Sequence, residues 1–208
     1  LPHRPFQQAT AEQPAELPAA YFGTLAGGQV HRTYFRGQKD QRIVADLELR
    51  RLGGKASPVL ELKTAAGTPL QIRWGQNALR GDVRIEHRLP ADGLYFIELH
   101  DLVYRAPGAS PFRLKLGDLR LVDLPFPAAV AATASTAIEP VGTGWNAGTK
   151  WEIPNPSATD ATMAIVKLPE DARAVGPWPL VRLAGAQEVV EQAATPAAPQ
   201  VLPDPHSA

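Results

Sequence analysis

The chain has 208 residues, enough for one large domain or two small ones with cores of their own, and two is the preferred reading. Its 21 Lys plus Arg offset 21 Asp plus Glu, so no net field draws in nucleic acid or an anionic membrane, and the lack of Cys removes disulfides, thiolate zinc sites and cysteine nucleophiles. With 21 Pro and 17 Gly against one Met, and no apolar run near the ~20 residues that span a bilayer, composition favours short strands joined by turns and gives no sign of membrane insertion.

The opening, LPHRPFQQATAEQPAELP, has little to bury, so residues 1–16 read as a linker or an edge segment. Because the chain begins at Leu, it reads as a processed or excised piece of a longer protein. From residue 21 the texture changes to alternation. Thr33 and Phe35, then Ile43, Ala45, Leu47 and Leu49, then Leu60 and Leu62 each share a face at period two, and Asp46, Glu48 and Arg50 between them are expected to face water. The rhythm continues in Val83 and Ile85, in Tyr95, Ile97 and Leu99, and in Phe112, Leu114 and Leu116. Ala66-Gly67, Ala91-Asp92-Gly93 and Pro107-Gly108 supply the reversals. At least six strands over about a hundred residues suit a sandwich or jelly roll.

Near residue 120 small residues and prolines take over, and TKWEIP, ATMAIVKLP and PLVRLAGAQEVV read as further short strands of a second, smaller β domain. The Ala-rich piece 128–134 is open to a helical turn as well. Residues 191–208 read as a Pro/Ala-rich linker, and their likeness to EQPAELPAAYFG at 12–23 hints at a tandem repeat.

The order Y-F-R-G-Q-K-D-Q-R-I-V-A-D-L, P-V-L-E-L-K-T-A-A-G-T-P-L, R-L-P-A-D-G-L-Y-F-I-E-L-H-D and F-R-L-K-L-G over residues 21–117 resembles the bacterial pre-peptidase C-terminal (PPC) domain family. The resemblance implies a jelly-roll-like sandwich, appended to secreted peptidases or repeated in large surface proteins, with collagen-binding modules among its relatives. Residues 122–190, through F-P, G-T-G-W and V-K-L-P-E-D-A-R-A-V-G-P, are more loosely similar to immunoglobulin-like modules of the IPT/TIG type. Calcium-binding relatives carry clustered acids, because a hard cation needs six to eight converging oxygens. Here only Glu12 and Glu16 enter the sandwich, and Asp40 and Asp82 have Arg36, Lys39, Arg42, Arg80 and Arg84 close by in sequence, so no metal is expected.

Catalytic constellations fail on spacing. His3, His31, His87, His100 and His206 lack a second His at i+2 or i+4 and are expected at the surface or rim, and His100 and Asp101, adjacent in a strand, point to opposite faces. Ser57, Ser110, Ser135, Ser157 and Ser207 lack a nucleophile-elbow frame. G-G-K-A-S at 53–57 and G-T-G-W-N-A-G at 142–148 both miss their nucleotide-binding patterns. Glu61, Glu86 and Glu98 are expected to be solvated outward partners, and the basic groups Arg50, Arg51, Lys55 and Arg32, Arg36, Lys39, Arg42 to be diluted by Asp40, Asp46 and Glu48. Trp74, Trp145, Trp151 and Trp178 are expected chiefly in packing.

The expectation is therefore all-β: a linker at 1–16, a PPC-like sandwich at 17–119, a small Ig-like domain at 120–190 and a linker at 191–208. Its work is that of a non-catalytic binding or spacer module pair in a larger secreted or cell-surface bacterial protein, with no cofactor and with neighbouring domains of the same polypeptide as partners. The alternative is recognition of a polysaccharide or a collagen-like fibrous protein on behalf of a secreted hydrolase or peptidase, with Trp74 and Tyr104 as ligand contacts.

Overall fold

The computed structural model describes residues 1–131, 136–153, 162–167 and 173–184, and the chain divides into two compact units, Leu1–Leu119 and Arg120–Ala208. In the first unit the strands are β1 (His3–Pro5), β2 (Ala19–Gly27), β3 (Val30–Gly37), β4 (Arg42–Glu48), β5 (Pro58–Thr64), β6 (Pro69–Trp74), β7 (Val83–Arg88), β8 (Gly93–Asp101) and β9 (Ala106–Gly117). They form two sheets, β1-β2-β9-β4-β7 and β3-β8-β5-β6, antiparallel except for β1 on β2. Interleaving β2-β9-β4-β7 with β3-β8-β5-β6 is the strand order of a jelly roll.

The alternation expected from the sequence supplies the core. Ala45 lies between Leu116 and Ile85, and Leu47 between Leu114 and Val83, on the inner face of one sheet. Leu60 opposite Leu99 and Leu62 opposite Ile97 line the other. All are buried, and each leucine contributes about 1.5–3 kcal/mol by leaving water.

Asp46 and Glu48, expected to face water, do not. They occupy the outer face of the first sheet, yet both are buried. Lys115 and Arg84 bracket Asp46 across the neighbouring strands at 3.2 and 2.8 Å, and Lys115 also reaches Glu48 at 2.7 Å while Arg113 closes the row. The methylene stems of these cations pack over the acids, so period two correctly gives the face but not its hydration. Burial disfavours ionised Asp46, but the charges and hydrogen bonds of Lys115 and Arg84 prevail and hold its pKa below the ordinary value.

Four connections cross between the sheets at one end of this unit: 28–29, 49–57, 75–82 and 102–105. Two buried carboxylates pin them. Asp82, with 0% exposure, accepts from the backbone N–H groups of Leu49, Arg50 and Arg51 and from the Arg51 side chain. Asp101 accepts from Ser57, Val103 and Arg105 N–H at 2.8, 3.2 and 3.1 Å; burial opposes its charge, but these donors lower its pKa. Arg50–Gly53 is accordingly a turn, with Gly53 at φ 84°.

Residues 1–16 belong to the same unit. β1 pairs with β2, Ala9 and Ala15 bridge Thr33 and Phe35 along β3, and the Phe6 ring meets Tyr21, His31 and Phe112 edge-on.

The second unit contains β10 (Leu121–Phe126), β11 (Ala129–Ala131), β12 (Thr136–Thr143), β13 (Trp151–Ile153), β14 (Met163–Ile165) and β15 (Leu180–Ala184). These make two three-stranded sheets, β10-β12-β13 and β11-β15-β14, around Val130, Ile138, Val166, Val181 and Leu183. Ala129–Ala131 is a strand and not a helical turn, because it pairs in parallel with β15 and buries Val130. Residues 132–134 of that Ala-rich piece, the 191–208 segment, Ser135, Ser157, Ser207 and His206 lie outside the described residues.

Asp82→Ala leaves three backbone donors without their buried acceptor, and we expect a loss of about 2–4 kcal/mol in urea unfolding; a loss under about 0.5 kcal/mol would show that the turn stands without it. A second expectation concerns acid. Asp46 and Asp101 titrate lower when folded than their ordinary 3.8, so their stabilisation is complete above that value and is lost as pH falls through the lowered ones. The melting temperature should fall below about pH 4, and Asp46→Asn should flatten that fall; an unchanged acid slope in the variant would refute the assignment.

Candidate functional site

The outer face of β3-β8-β5-β6 gathers most of the sequence's candidate residues. Register places Trp74, Val59, His100 and Val30 in one row across the four strands, and Ile72, Glu61, Glu98 and Arg32 in the next. Lys63 opposite Phe96 opposite Tyr34 forms a third.

The middle of this face is an ion-paired cluster. Glu98 accepts from Arg32 Nε at 2.5 Å and from Lys63 Nζ at 2.8 Å; Lys63 also lies 3.1 Å from Glu61 Oε2. The other Glu61 oxygen is 3.0 Å from His100 Nε2, and His100 Nδ1 is 2.9 Å from the Asp101 carbonyl oxygen. Lys63 and Arg32 each hold their charge about 6.0 Å from the Phe96 ring centre. Burial disfavours the Glu98 carboxylate, but its bonds to Lys63 and Arg32 win and lower its pKa. Lys63, disfavoured by burial as a cation, is raised by the same two carboxylates.

Several expectations change here. Glu98 is 5% exposed and His100 is buried, so neither is a solvated surface group; Glu86 is exposed as expected. Polar groups thus converge where a plain spacer presents none. The repeated acid-x-base spacing of Glu61-Leu62-Lys63 and Glu98-Leu99-His100, on strands that pair, is the sequence signal for this cluster. Two such strands side by side at period two put acids and bases on one face.

Chemically the cluster is closed. Glu61, Glu98 and His100 bring donor atoms within 4.8 Å of one another, a spacing compatible with a metal ion. The Lys63 ammonium already stands between the two carboxylates, so the charge that would attract a divalent cation is compensated from within. Both His100 nitrogens face acceptors, and among the described residues no Ser or Thr hydroxyl bonds either one. The Ser110 hydroxyl accepts from Lys55 and Ala56 N–H in a buried loop contact, and Asp82 is committed to its turn.

The two ligand candidates lie at the rim. Trp74 is 62% exposed at the end of β6, and Tyr104 is 50% exposed in the connection after β8. Tyr104 stacks on His100 with ring centres 4.4 Å apart and planes 5° from parallel, and its backbone is left-handed at φ 54°. Trp74 and His100 are two strand spacings apart, roughly 10 Å. The expectation that tryptophans serve in packing fails for Trp74, which ends the edge strand β6, and for Trp178, which is also exposed. It describes Trp145 and Trp151, half-buried and edge-to-face at 4.9 Å.

No family model matches the chain, and no curated protein is significantly similar to it. Solved structures are similar over about half of it. The periplasmic lysozyme inhibitor PliG of Aeromonas hydrophila, an inhibitor of g-type lysozyme, is 15% identical over 56% of this chain and 95% of its own, with a TM-score of 0.39. The pre-peptidase C-terminal domain of a Bacillus anthracis collagenase is 14% identical over 55% of this chain and 92% of its own, with a TM-score of 0.37. The Yersinia pseudotuberculosis-derived mitogen is 15% identical over 49% of this chain and 86% of its own, with a TM-score of 0.34.

Proposed function

We propose that the chain is a non-catalytic binding module pair of a larger secreted or cell-surface protein, and that its first unit meets a polysaccharide or fibrous-protein ligand through Trp74 and Tyr104. The observation that carries this reading is the Tyr104 ring, half exposed yet immobilised against His100, beside a Trp74 that no neighbouring strand covers. A flat ring held in place loses little freedom when a sugar face or a peptide stacks on it, so it binds at low entropic cost.

The closed chemistry of the Glu61, Glu98 and His100 cluster supports a binding role over a catalytic one. A general base needs a free nitrogen within reach of the proton it removes, and here both are engaged. We take residues 17–119 and 120–190 as the two modules, and the neighbouring domains of the same polypeptide as their constant partners.

Pull-down on insoluble polysaccharides and on fibrillar collagen tests the reading. The unmodified chain should be retained by at least one of them. Trp74→Ala and Tyr104→Ala should each weaken retention about fivefold, while Trp178→Ala should leave it unchanged. Retention by none of the polymers, or equal retention of all variants, would overturn the proposal.

A further inference from the structure

The end of the first unit where 28–29, 49–57, 75–82 and 102–105 cross between the sheets has an unusual surface. Of the seven exposed large hydrophobic residues in Leu1–Leu119, five belong to these connections or to the strand end that enters them: Leu52, Trp74, Leu102, Val103 and Tyr104. Six cations are exposed there as well: Arg50, Arg51, Lys55, Arg73, Arg80 and Arg105. No exposed Asp or Glu accompanies them. Within the connections Asp82 is the sole acid, and it is fully buried, as is Asp101 at the end of β8.

The acids that should dilute this patch by sequence are elsewhere. Asp46 and Glu48 are paired on the outer face of the first sheet, and Asp40 lies in the 38–41 connection at the opposite end. Lys55, Arg80 and Arg105 have no carboxylate partner among the described residues.

The patch is contiguous and rigid. A Cβ on Gly81 would touch the Arg50 side chain at 3.4 Å, and one on Gly28 would touch the Tyr104 carbonyl at 3.3 Å. Lys55 N–H binds Ser110, Ser57 N–H binds Asp101, and Asp101 in turn fixes Arg105. Basic groups flank Trp74 and Tyr104, and His100, on which Tyr104 stacks, is two strand spacings, ~10 Å, from Trp74.

We infer that this end binds an acidic polysaccharide, a chain of sugar rings bearing carboxylate or sulfate groups. This rests on the proposed role of Trp74 and Tyr104 and names the chemistry of their ligand. The rings take the apolar faces of successive sugars, the cations take the anionic substituents, and Leu102 and Val103 form an apolar ledge beside them. A sugar polymer suits the geometry better than a bilayer, because Trp74 shares its row of the sheet face with His100 and the Tyr104 ring is stacked on that His100, so the two aromatic groups belong to one face of the sheet.

Calorimetry with the full chain tests this, using polygalacturonate and dextran sulfate as anionic glycans, dextran as a neutral one, polyglutamate as an anionic non-sugar, and phosphatidylglycerol vesicles. We expect at least one anionic glycan to bind about tenfold or more tighter than dextran and polyglutamate, with affinity falling as salt rises. Lys55→Glu with Arg105→Glu should cost about tenfold, Trp74→Ala about fivefold, and Lys39→Glu at the far end nothing, all with unchanged melting temperatures. Equal affinity for polyglutamate reduces the patch to a cation exchanger and overturns the inference. Preference for the vesicles overturns it in favour of a lipid surface. Retention on neutral polysaccharide or collagen that Trp74→Ala abolishes, without any preference for the anionic glycans, sinks this inference while sparing the module reading; binding to no polymer sinks both.

Discussion

A strand sends successive side chains to opposite faces, so a sheet that buries one face must also dispose of the other. In this sandwich the inner faces carry leucine, isoleucine and valine, and the outer faces carry rows of opposed acids and bases: Arg84, Asp46, Lys115 and Glu48 on one sheet, Glu61, Lys63, Glu98 and Arg32 on the other. Acids opposite bases at strand spacing neutralise one another, and their stems shield the backbone ladder from water. With the central charges spent on each other, the exposed Trp74 and Tyr104 rings and the basic Lys55, Arg80 and Arg105 lie at the rims and in the connections.

That division explains what could be read from the chain. Strands such as Arg42–Glu48 and Gly93–Asp101 are buried along most of their length, yet their residue types alternate, Ala45 and Leu47 against Asp46 and Glu48, Ile97 and Leu99 against Glu98 and His100, and period two finds them. Ala19–Gly27 escapes because it opens on four consecutive apolar residues, Ala19, Ala20, Tyr21 and Phe22, so its residue types do not alternate. Pro69–Trp74 carries Leu70, Ile72 and Trp74 at period two, but as an edge strand it is largely exposed, and of these three only Leu70 packs against the core. The burial of Asp46, Glu48, Glu98 and His100 was illegible because it depends on which strands become neighbours. A lone charged residue reads as solvated; only the pairing of β5 with β8, and of β4 with β9, shows that a cation lies opposite. Exposure of Trp74 follows from the same pairing, since no further strand lies beyond β6.

Tyr104 shows how local strain and packing are balanced. A left-handed backbone at a non-glycine residue costs about 1–2 kcal/mol. Here Tyr104 N–H donates to the Asp101 carbonyl at 2.9 Å, the Asp101 carboxylate holds the residues on either side, and the ring gains a stacking partner in His100. His100 is in turn oriented by Glu61, so the exposed ring is set by a chain of contacts that begins at the buried end of the ion-paired cluster. The acids of the cluster thus determine where the exposed Tyr104 ring stands.

Topology then decides where such groups can accumulate. In a jelly roll of this order every odd crossing from β2 to β3, β4 to β5, β6 to β7 and β8 to β9 falls at the same end, so four separate segments contribute to one surface on a rigid scaffold. The opposite end receives the β3–β4, β5–β6 and β7–β8 turns, where Lys39 N–H is bound by Asp92 and the charges of Asp40 and Asp92 accompany Lys39. A chain whose basic and acidic residues cancel overall can therefore present one end stripped of exposed acids, because the buried carboxylates there are consumed by backbone donors. Zero net charge excludes a global field but not a local one, and in this fold the local one is created by the two aspartates that tie the connections together.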